Sequence, residues 1–537
     1  MITTRPTGVR SVLGVSPTDP DCYRTISDAI SAAQEGDIVA VRPGLYQESI
    51  VIDRQISLSG SGAPGEVRVE AKGKPVLTST VEHAEVSGIE FIHSEGEIAV
   101  DPRGRVLSLE ECVISADSEV AIIARKEAAL IARGCTIRNA GGAGVLVYES
   151  GRAELSGCTV TSISTTALVT RSGGQPTMVD CVISDAQSAI LAADHGRGEV
   201  HRCRITDIKG SAIVVEDNSE LTVTDTDVSN VDGVALLVAE KSRPMLTECR
   251  IRDTTAQAIV VVKGASAELN RVSVDNARGH AVQVLDGSSV DMAECVITGT
   301  QHDAVVASAN GLLQMAGCEI AGGASNGIVV DRHAKLSASD CFVIGTAGAG
   351  MTATGQARME IEGGEVRECQ TGVLWREQSS GFIVACRVRD NVQDGIVVET
   401  DGEVDVDESV RQDAGPSRRP ARPKDDAGSA KPGSRGNWDN DEVSALLEEL
   451  SSLVGLDSVK REVETLVRLI QMSERRAAAG LPSPPMSRHL VFAGSPGTGK
   501  TTVARLYGRI LAALGVLSTG QLVEVARPDL VAAVVGG

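Results

Sequence analysis

The stretch CTIRNAGGAGVLVYESGRAELSGCTVTSISTTALVTRSGGQPTMVDCVI, residues 135–183, contains the pattern that decides the fold. Its three cysteines stand 23 residues apart. The same register, with two steps of 22 residues, runs through Cys112, Cys135, Cys158, Cys181, Cys203, Thr226, Cys249, Val272, Cys295, Cys318, Cys341, Gly364 and Cys386. This pattern indicates a solenoid, because a repeat this short cannot bury its own apolar face and must share a core with its neighbours.

An aliphatic residue follows two positions after each member of this column, as expected when alternate side chains of a strand point the same way. These residues are Ile114, Ile137, Val160, Ile183, Ile205, Val228, Ile251, Val274, Ile297, Ile320, Val343, Val366 and Val388. Each repeat holds a second β run, such as residues 144–147, 258–261 or 327–330. Strands and turns without a helical period predict a parallel β-helix. With coils about 4.8 Å apart, the rod from Cys112 to Cys386 is roughly 58 Å long.

The cysteine column is expected to lie inside the rod, as small buried hydrophobic side chains rather than as a metal site or redox relay. A polar residue stands four positions after the column, namely Asn139, Ser162, Asp185, Asp207, Asn230, Asp253 and Asn276 in successive repeats. One interpretation is a row of catalytic carboxylates. The favoured interpretation is a turn ladder, in which short polar side chains bond the local backbone.

The start of the chain fits the same architecture. An amphipathic helix is predicted at Ile26, Ala29, Ile30 and Ala33, followed by a strand at residues 38–41, and this helix is expected to cap the solenoid. Residues 25–52, TISDAISAAQEGDIVAVRPGLYQESIVI, resemble the opening segment of pectin-lyase-like right-handed β-helix proteins. With the coils included, the resemblance covers residues 20–410 and leaves residues 1–19 as an N-terminal tail. It implies the fold, but fold alone does not carry function.

Many proteins of that fold are polysaccharide lyases, hydrolases, esterases or epimerases, so a sugar-cleaving rod is one alternative. Their grooves need paired acid and base groups, with aromatic platforms or Ca2+. Here the rod contains one tryptophan, Trp375. The best local acid–histidine pairs, Asp194 with His195 and Asp331 with His333, are expected to be solvated turns. A protein- or glycan-binding surface is the favoured role for the rod.

The composition and charge of the chain limit its possible binding partners and its location in the cell. A formal charge of -21 argues against binding to nucleic acid or to an anionic membrane. The first residues contain no apolar run of signal-peptide length, and no later run is long enough for a membrane span. We therefore expect a cytoplasmic protein whose 12 cysteines are reduced thiols.

Residues 411–439 form a Pro-, Gly- and Arg-rich stretch that is typical of a flexible linker. Helical periodicity begins at residue 440, and the strand-like run 490–493 then precedes a G-x-x-x-x-G-K-[ST] motif and a further helical pattern. The motif and its context predict a P-loop that binds ATP. Its candidate binding residues are Gly494, Ser495, Pro496, Gly497, Thr498, Gly499, Lys500, Thr501 and Thr502.

Each part of this motif has a physical role. The glycines allow backbone N–H groups to surround phosphate oxygens, and the following helix presents its positive end. Lys500 is expected to reach the β- and γ-phosphates, and the Thr501 hydroxyl to hold Mg2+. The alternative, an unrelated glycine-rich turn, does not explain why strand, loop and helix occur in this order.

The upstream LVGLDSVKREVETLV resembles the segment before the P-loop of AAA+ ATPases, which implies that Val454, Gly455 and Leu456 contact the adenine. Residues 445–536 are similar to the CbxX/CfqX-type AAA+ group, which includes rubisco-activase-like proteins, sporulation protein K-like proteins and ATPases of type VII secretion. That group has LVEVDRADLVxxYVGQ where this chain has LVEVARPDLVAAVVGG. Val534 therefore replaces a pore-loop aromatic residue, which places substrate threading in doubt.

No acidic Walker B segment, sensor or arginine finger follows the P-loop within these residues, so residues 440–537 alone are expected to bind nucleotide poorly and to hydrolyse it hardly at all. The chain is then either a fragment of a longer protein or the product of a truncated gene. The leading hypothesis is a cytoplasmic AAA+ ATPase subunit that acts in a homo-oligomeric ring, with a rod that recruits a protein substrate or partner. The alternatives are a β-helix binding scaffold with a vestigial nucleotide segment and, with less support, a polysaccharide-acting enzyme.

Overall fold

The computed structural model describes residues 11–412 and Arg509. Residues 11–412 form a parallel β-solenoid in which each coil contributes strands to up to three stacked sheets. The predicted parallel β-helix is confirmed for this part of the chain. The interval of 23 residues is the length of one coil, since residues 23 apart in sequence lie side by side in neighbouring strands, as Ile114 does with Ile137.

The first sheet contains 18 parallel strands. Their bounds are Val12–Val15, Ile38–Val41, Ser57–Gly60, His83–Ser87, Val106–Glu110, Ala129–Arg133, Arg152–Ser156, Gln175–Val179, Arg197–His201, Glu220–Thr224, Met245–Thr247, Ser266–Asn270, Ser289–Ala293, Leu312–Ala316, Lys335–Ser339, Arg358–Glu362, Ser380–Val384 and Val404–Val406. The first of these strands lies within the segment assigned to the N-terminal tail, and it pairs with Ile38–Val41. The boundary placed at residue 20 therefore falls inside the first coil.

The second sheet follows the first in each coil. Its separate strands are Gly44–Gln47, Val67–Lys72, Thr136–Asn139, Arg204–Ile208, Asp227–Val231, Arg250–Thr254, Ser273–Ala277, Val296–Thr300, Glu319–Gly323, Phe342–Thr346, Glu365–Arg367, Arg387–Arg389 and Arg411–Gln412.

The third sheet completes the coil. Its separate strands are Ile50–Ile52, Leu77–Ser79, Ala143–Tyr148, Ile213–Val215, Leu236–Val238, Ile259–Val261, Val282–Val284, Val305–Ala307, Ile328–Val330, Ala349–Ala353, Thr371–Arg376 and Ile396–Glu399. In four coils a single long strand passes through both the second and the third sheet: Glu90–Pro102, Val113–Arg125, Thr159–Thr170 and Val182–Ala192.

The helix Ile26–Ala32 closes the first coil as the sequence predicted. Its Ile26, Ala29 and Ile30 side chains are buried in the same core as the first strands. The Thr25 side chain caps its N-terminus by accepting a bond from the Asp28 N–H at 3.1 Å. The Glu48 carboxylate accepts from the N–H of Ile26 at 2.7 Å, so the free N–H groups of this short helix are satisfied from the solenoid.

A one-residue turn joins the first sheet to the second, and its backbone is left-handed. It falls immediately before the cysteine column, with φ of 54° at Asp180, 49° at Arg202 and 61° at Gly317. A second left-handed turn, two residues long, joins the third sheet to the first sheet of the next coil, as at Asp217 and Asn218. Each of these turns changes the chain direction with one or two residues, which keeps the coils compact.

Candidate functional site

The predicted nucleotide site lies outside the described residues. This applies to Gly494, Ser495, Pro496, Gly497, Thr498, Gly499, Lys500, Thr501 and Thr502, to the adenine-contact candidates Val454, Gly455 and Leu456, and to the assignment of Mg2+ to Thr501. These remain predictions from the sequence. The surfaces that the structure resolves belong to the rod.

The cysteine column lies inside the rod, as predicted, with each of its cysteines at most 4% exposed. Most of these thiols are close to main-chain carbonyl groups. Cys135 Sγ, for example, is 3.4 Å from the oxygen of Arg133 and 3.5 Å from that of Leu109. Burial raises the pKa of Cys249 to about 11 and that of Cys386 to about 12. These thiols therefore stay neutral at physiological pH and act as packing groups with weak hydrogen bonds.

The polar ladder that follows the cysteine column forms left-handed kinks within the second-sheet strands rather than turns between strands. The strand pairing skips the ladder residue, as it skips Asp207 and Asn230. Ser162, Asp185, Asp207, Asn230, Asp253 and Asn276 all have a left-handed backbone, with φ between 47° and 57°. Neighbours bond along the rod, since Asn230 Nδ2 donates to Asp207 Oδ1 at 3.2 Å and Asn276 Nδ2 donates to Asp253 Oδ1 at 2.5 Å. The short polar side chains thus tolerate a conformation that costs other residues about 1–2 kcal/mol.

Asn139 departs from this ladder, although the sequence placed it there. Its side chain is fully buried, and its backbone belongs to the strand Thr136–Asn139. The amide accepts from the Ser118 N–H at 3.1 Å, and donates to the carbonyl of Ser118 at 2.9 Å and to that of Ala143 at 2.7 Å. The buried Asn139 amide therefore holds the backbone in place, through hydrogen bonds, where the second sheet meets the third.

The two acid–histidine pairs lie in the two-residue turns or beside them. His195 Nδ1 is 3.4 Å from Asp194 Oδ1, and both side chains are largely exposed. A hydrogen bond from Ser172 is the largest cause that lowers the pKa of Asp194. Asp331 faces Arg332 at 3.7 Å, and His333 has a left-handed backbone. Neither pair has the shielded geometry that general acid–base catalysis needs.

Trp375 is fully buried in the core of a late coil. It points into the rod, so its ring cannot act as a stacking platform for a sugar on the surface. Among the described residues, 11–412 and Arg509, no group of three or more His, Cys, Asp or Glu side chains is placed to hold a metal ion.

A groove of about 580 Å³ runs along the junction of the first and second sheets, with charged residues on both sides. Opposite charges in it pair with each other. Arg202 Nε lies 2.8 Å from Asp180 Oδ1, and Arg271 Nη2 lies 2.8 Å from Glu248 Oε1. These largely exposed ion pairs each contribute little stability, and together they leave the groove without a concentrated field of one sign.

The third sheet has a feature that the sequence analysis missed. In most of its short strands the middle residue points outward between two buried neighbours, as Val214 does between Ile213 and Val215. Strand register places these outward residues in one column, here named the outer ladder: Ile123, Leu146, Val169, Leu191, Val214, Leu237, Val260, Gln283, Val306, Val329, Thr352, Leu374 and Val397. The available signal was the unbroken apolar character of runs such as 258–261, which differs from the alternation of a half-exposed strand.

A buried ion-pair cluster lies near the N-terminal end of the outer ladder. The Asp101 carboxylate is fully buried, 2.7 Å from Arg103 Nε and 3.2 Å from Arg125 Nη2. Two guanidinium groups on one carboxylate satisfy a charge that would otherwise be costly to bury. The sequence pattern carries no sign of this cluster, because Arg125 comes from the coil that follows that of Asp101.

Comparison with known proteins identifies the family of the rod. The model of the right handed beta helix region matches residues 75–201, 188–343 and 303–415, which together make up more than half of the chain. The chain belongs to the right-handed β-helix family. The match confirms the handedness that the sequence predicted for this β-helix.

The solved structures that match this right-handed β-helix have low sequence identity to it and low TM-scores. A periplasmic alginate epimerase, AlgG, is 10% identical with a TM-score of 0.35, and the match covers 68% of this chain and 78% of that one. The A-module of the mannuronan C-5 epimerase AlgE6 of Azotobacter vinelandii is 11% identical with a TM-score of 0.34, and the match covers 72% and 94%. Likeness at this level supports no statement about activity.

Curated relatives match a short segment of the chain. Stage V sporulation protein K of Bacillus subtilis is 43% identical over 89 residues, which is 17% of this chain and 28% of that protein. The ESX-1 secretion system protein EccA1 of Mycolicibacterium smegmatis is 46% identical over 84 residues, or 16% of this chain and 15% of that protein. The chain thus spans less than a third of the length of these relatives.

Proposed function

We propose that this right-handed β-helix chain is a subunit of an AAA+ ATPase, in which the rod recruits a protein substrate or partner and the P-loop segment binds ATP. The observation that carries the proposal is the identity of 43–46% to the sporulation and ESX-1 secretion proteins over a segment of 84–89 residues. We assign that segment to residues 445–536, where the sequence has the P-loop and the upstream Val-Gly-Leu turn.

In this proposal the P-loop residues contact different parts of MgATP. The backbone N–H groups from Gly494 to Gly499 surround the β-phosphate, and the Lys500 ammonium neutralises the β- and γ-phosphates. The Thr501 hydroxyl ligates Mg2+, and Val454 to Leu456 contact the adenine. Hydrolysis further requires an acidic Walker B group, a sensor and an arginine finger from a neighbouring subunit, which is why we propose a homo-oligomeric ring.

The rod is proposed to bind rather than to catalyse. The Asp194–His195 pair is largely exposed, Trp375 is buried, and opposite charges in the groove between the first and second sheets pair with each other. A stack of similar coils instead offers a long, regular surface, which suits extended contacts with a protein. We also propose a cytoplasmic location. All 12 cysteines are free thiols, which fits a reducing compartment.

The test is nucleotide binding by the protein expressed from its complete gene. Calorimetry with ATP and Mg2+ should show binding, and Lys500→Ala should weaken it by about 100-fold or more, because a charge-assisted phosphate contact is worth roughly 3 kcal/mol. Lys431→Ala, which changes a lysine of the linker, is the matched control and should bind as the wild type does. Equal affinity for the wild type and Lys500→Ala would refute the ATPase proposal and favour a binding scaffold.

A further inference from the structure

The outer ladder is unusual among the outward columns of the rod. Outward positions of the first sheet are mostly polar, such as Glu268, Asp291 and Gln314, which lie side by side in successive strands. The outer ladder, in contrast, is aliphatic at eleven of its thirteen positions, with Gln283 and Thr352 as the exceptions. Parallel strands with unbroken apolar runs are normally covered on both sides. The ladder residues from Leu191 to Val260 are partly exposed, whereas Ile123, Val169, Val306 and Leu374 are at most 9% exposed. A partly exposed apolar column marks a place where another element packs.

We propose that the outer ladder from Leu191 to Val260, together with the acidic row beside it, binds an amphipathic α-helix of a partner protein. The helix presents aliphatic side chains to the ladder and lysine or arginine along one edge. This inference rests on the recruiting role proposed above for the rod, and it names both the surface and the class of partner.

The spacing of the ladder favours a helix over an extended strand. Neighbouring coils are about 4.8 Å apart, so the ladder presents one aliphatic side chain per 4.8 Å. A helix with apolar residues every 3.5 positions presents one per about 5.2 Å, whereas a strand presents one per about 6.8 Å on the same face. Over the three coil steps from Leu191 to Val260 the mismatch is about 1.2 Å for the helix and about 6 Å for the strand. Only the helix stays in register with the ladder.

The two borders of this part of the ladder differ in charge. Three residues after the ladder position, the successive coils have Asp194, Asp217 and Glu240. On the opposite border, three residues before the ladder position, stand Ser211, Val234 and Gln257, none of which is charged. The partner helix therefore needs cations along one edge only.

The acidic row brings like charges together in neighbouring coils. Hydrogen bonding to Glu240 is the largest cause that raises the pKa of Asp217, and the charges of Glu240 and Asp194 add to it. At the end of the row, Lys263 Nζ lies 2.6 Å from Glu240 Oε1 and shows how an ammonium group is accepted there. Lysine or arginine from a docked helix would relieve the repulsion between stacked carboxylates, which gives both affinity and orientation.

The chain itself offers conservative test variants. Because Gln283 occupies the ladder naturally, Leu237→Gln with Val260→Gln should fold while removing two aliphatic contacts. The matched control is Met245→Gln with Leu312→Gln, which removes two apolar side chains of the first sheet that are 40% and 42% exposed. Asp217→Asn with Glu240→Gln tests the acidic row. Circular dichroism checks that each variant keeps the fold.

The measurement is fluorescence anisotropy of the full chain with a labelled helical peptide of about 20 residues, with leucine every three or four positions and lysine along one edge. We expect the ladder variant to weaken binding by about tenfold or more and the control by less than about twofold. The acidic-row variant should weaken it by about threefold and reduce its dependence on salt. A peptide with glutamate in place of lysine, and a scrambled peptide, should bind more weakly.

Several results would overturn the inference: no binding of the basic peptide at about 100 μM, equal losses in the ladder and control variants, or tighter binding of the glutamate peptide. A dimer of the unliganded chain in sedimentation velocity that the ladder variant dissociates would assign the ladder to a contact between two rods, and would also overturn it. Lys500→Ala should bind the peptide as the wild type does. Failure of this inference is thus separable from failure of the ATPase proposal.

Discussion

Replacing two neighbouring residues of one third-sheet strand by alanine, one at a time, tests which side of that sheet faces the core. Ile259 is fully buried, whereas the next residue, Val260, belongs to the outer ladder and is partly exposed. Ile259→Ala removes about three carbon atoms from the core, which costs about 2.4 kcal/mol of transfer free energy, and the cavity left behind raises the total to roughly 3–4 kcal/mol. Val260→Ala removes two partly hydrated carbon atoms and should cost less than about 1 kcal/mol.

The assay is hydrogen exchange of the backbone amides, followed by mass spectrometry, because long repeat arrays need not unfold in one step. A loss of about 3 kcal/mol accelerates exchange by roughly 100-fold where exchange proceeds through the destabilised coils. Since each coil contacts only its neighbours, the effect should be largest from the coil of Leu236–Val238 to that of Val282–Val284 and should fade beyond them. Equal acceleration by Ile259→Ala and Val260→Ala would refute the assigned orientation, and uniform acceleration along the rod would refute nearest-neighbour coupling.

Two further predictions concern the turns and the thiols. Gly317 has φ of 61°, and a β-carbon added there would meet no atom closer than 3.8 Å. Gly317→Val should therefore lower the free energy of unfolding by about 1–2 kcal/mol through backbone strain alone, and Gly317→Asn should lower it less. Equal urea midpoints for the two variants would contradict this. Burial raises the pKa of Cys249 from 9.0 to about 11, so the folded thiol stays neutral while the unfolded thiol ionises. The contribution of Cys249 to stability should therefore be fully present below pH 9 and be lost between pH 9 and about pH 11. Cys249→Val, which copies Val272 of the same column, should show a smaller fall over this range in urea denaturation, and an identical fall would contradict the assignment.

Much of the rod was predictable because its repeat is short and regular. The interval of 23 residues determined the coil length, and the aliphatic residue two positions after each cysteine determined which side of the second strand faces inward. The capping helix was predictable from the spacing of Ile26, Ala29 and Ile30 together with its Thr25 cap. The polar ladder was assigned to turns because aspartate and asparagine tolerate left-handed backbone. That conformation is present at Asp185, Asp207 and Asn230, but as kinks within strands rather than as turns between them.

The sequence by itself determined the solenoid, its period, the inward cysteine column, and a P-loop motif that remains a prediction. Only the tertiary structure decided which outward residues share a surface. An apolar run such as 258–261 does not state which of its side chains points inward, because every position in it is compatible with burial. Once the turns fix the register, Val260 lies beside Leu237 in the outer ladder, and Trp375 lies in the core. Asn139 is buried rather than in a turn for the same reason, since its place depends on Ser118 in the preceding coil.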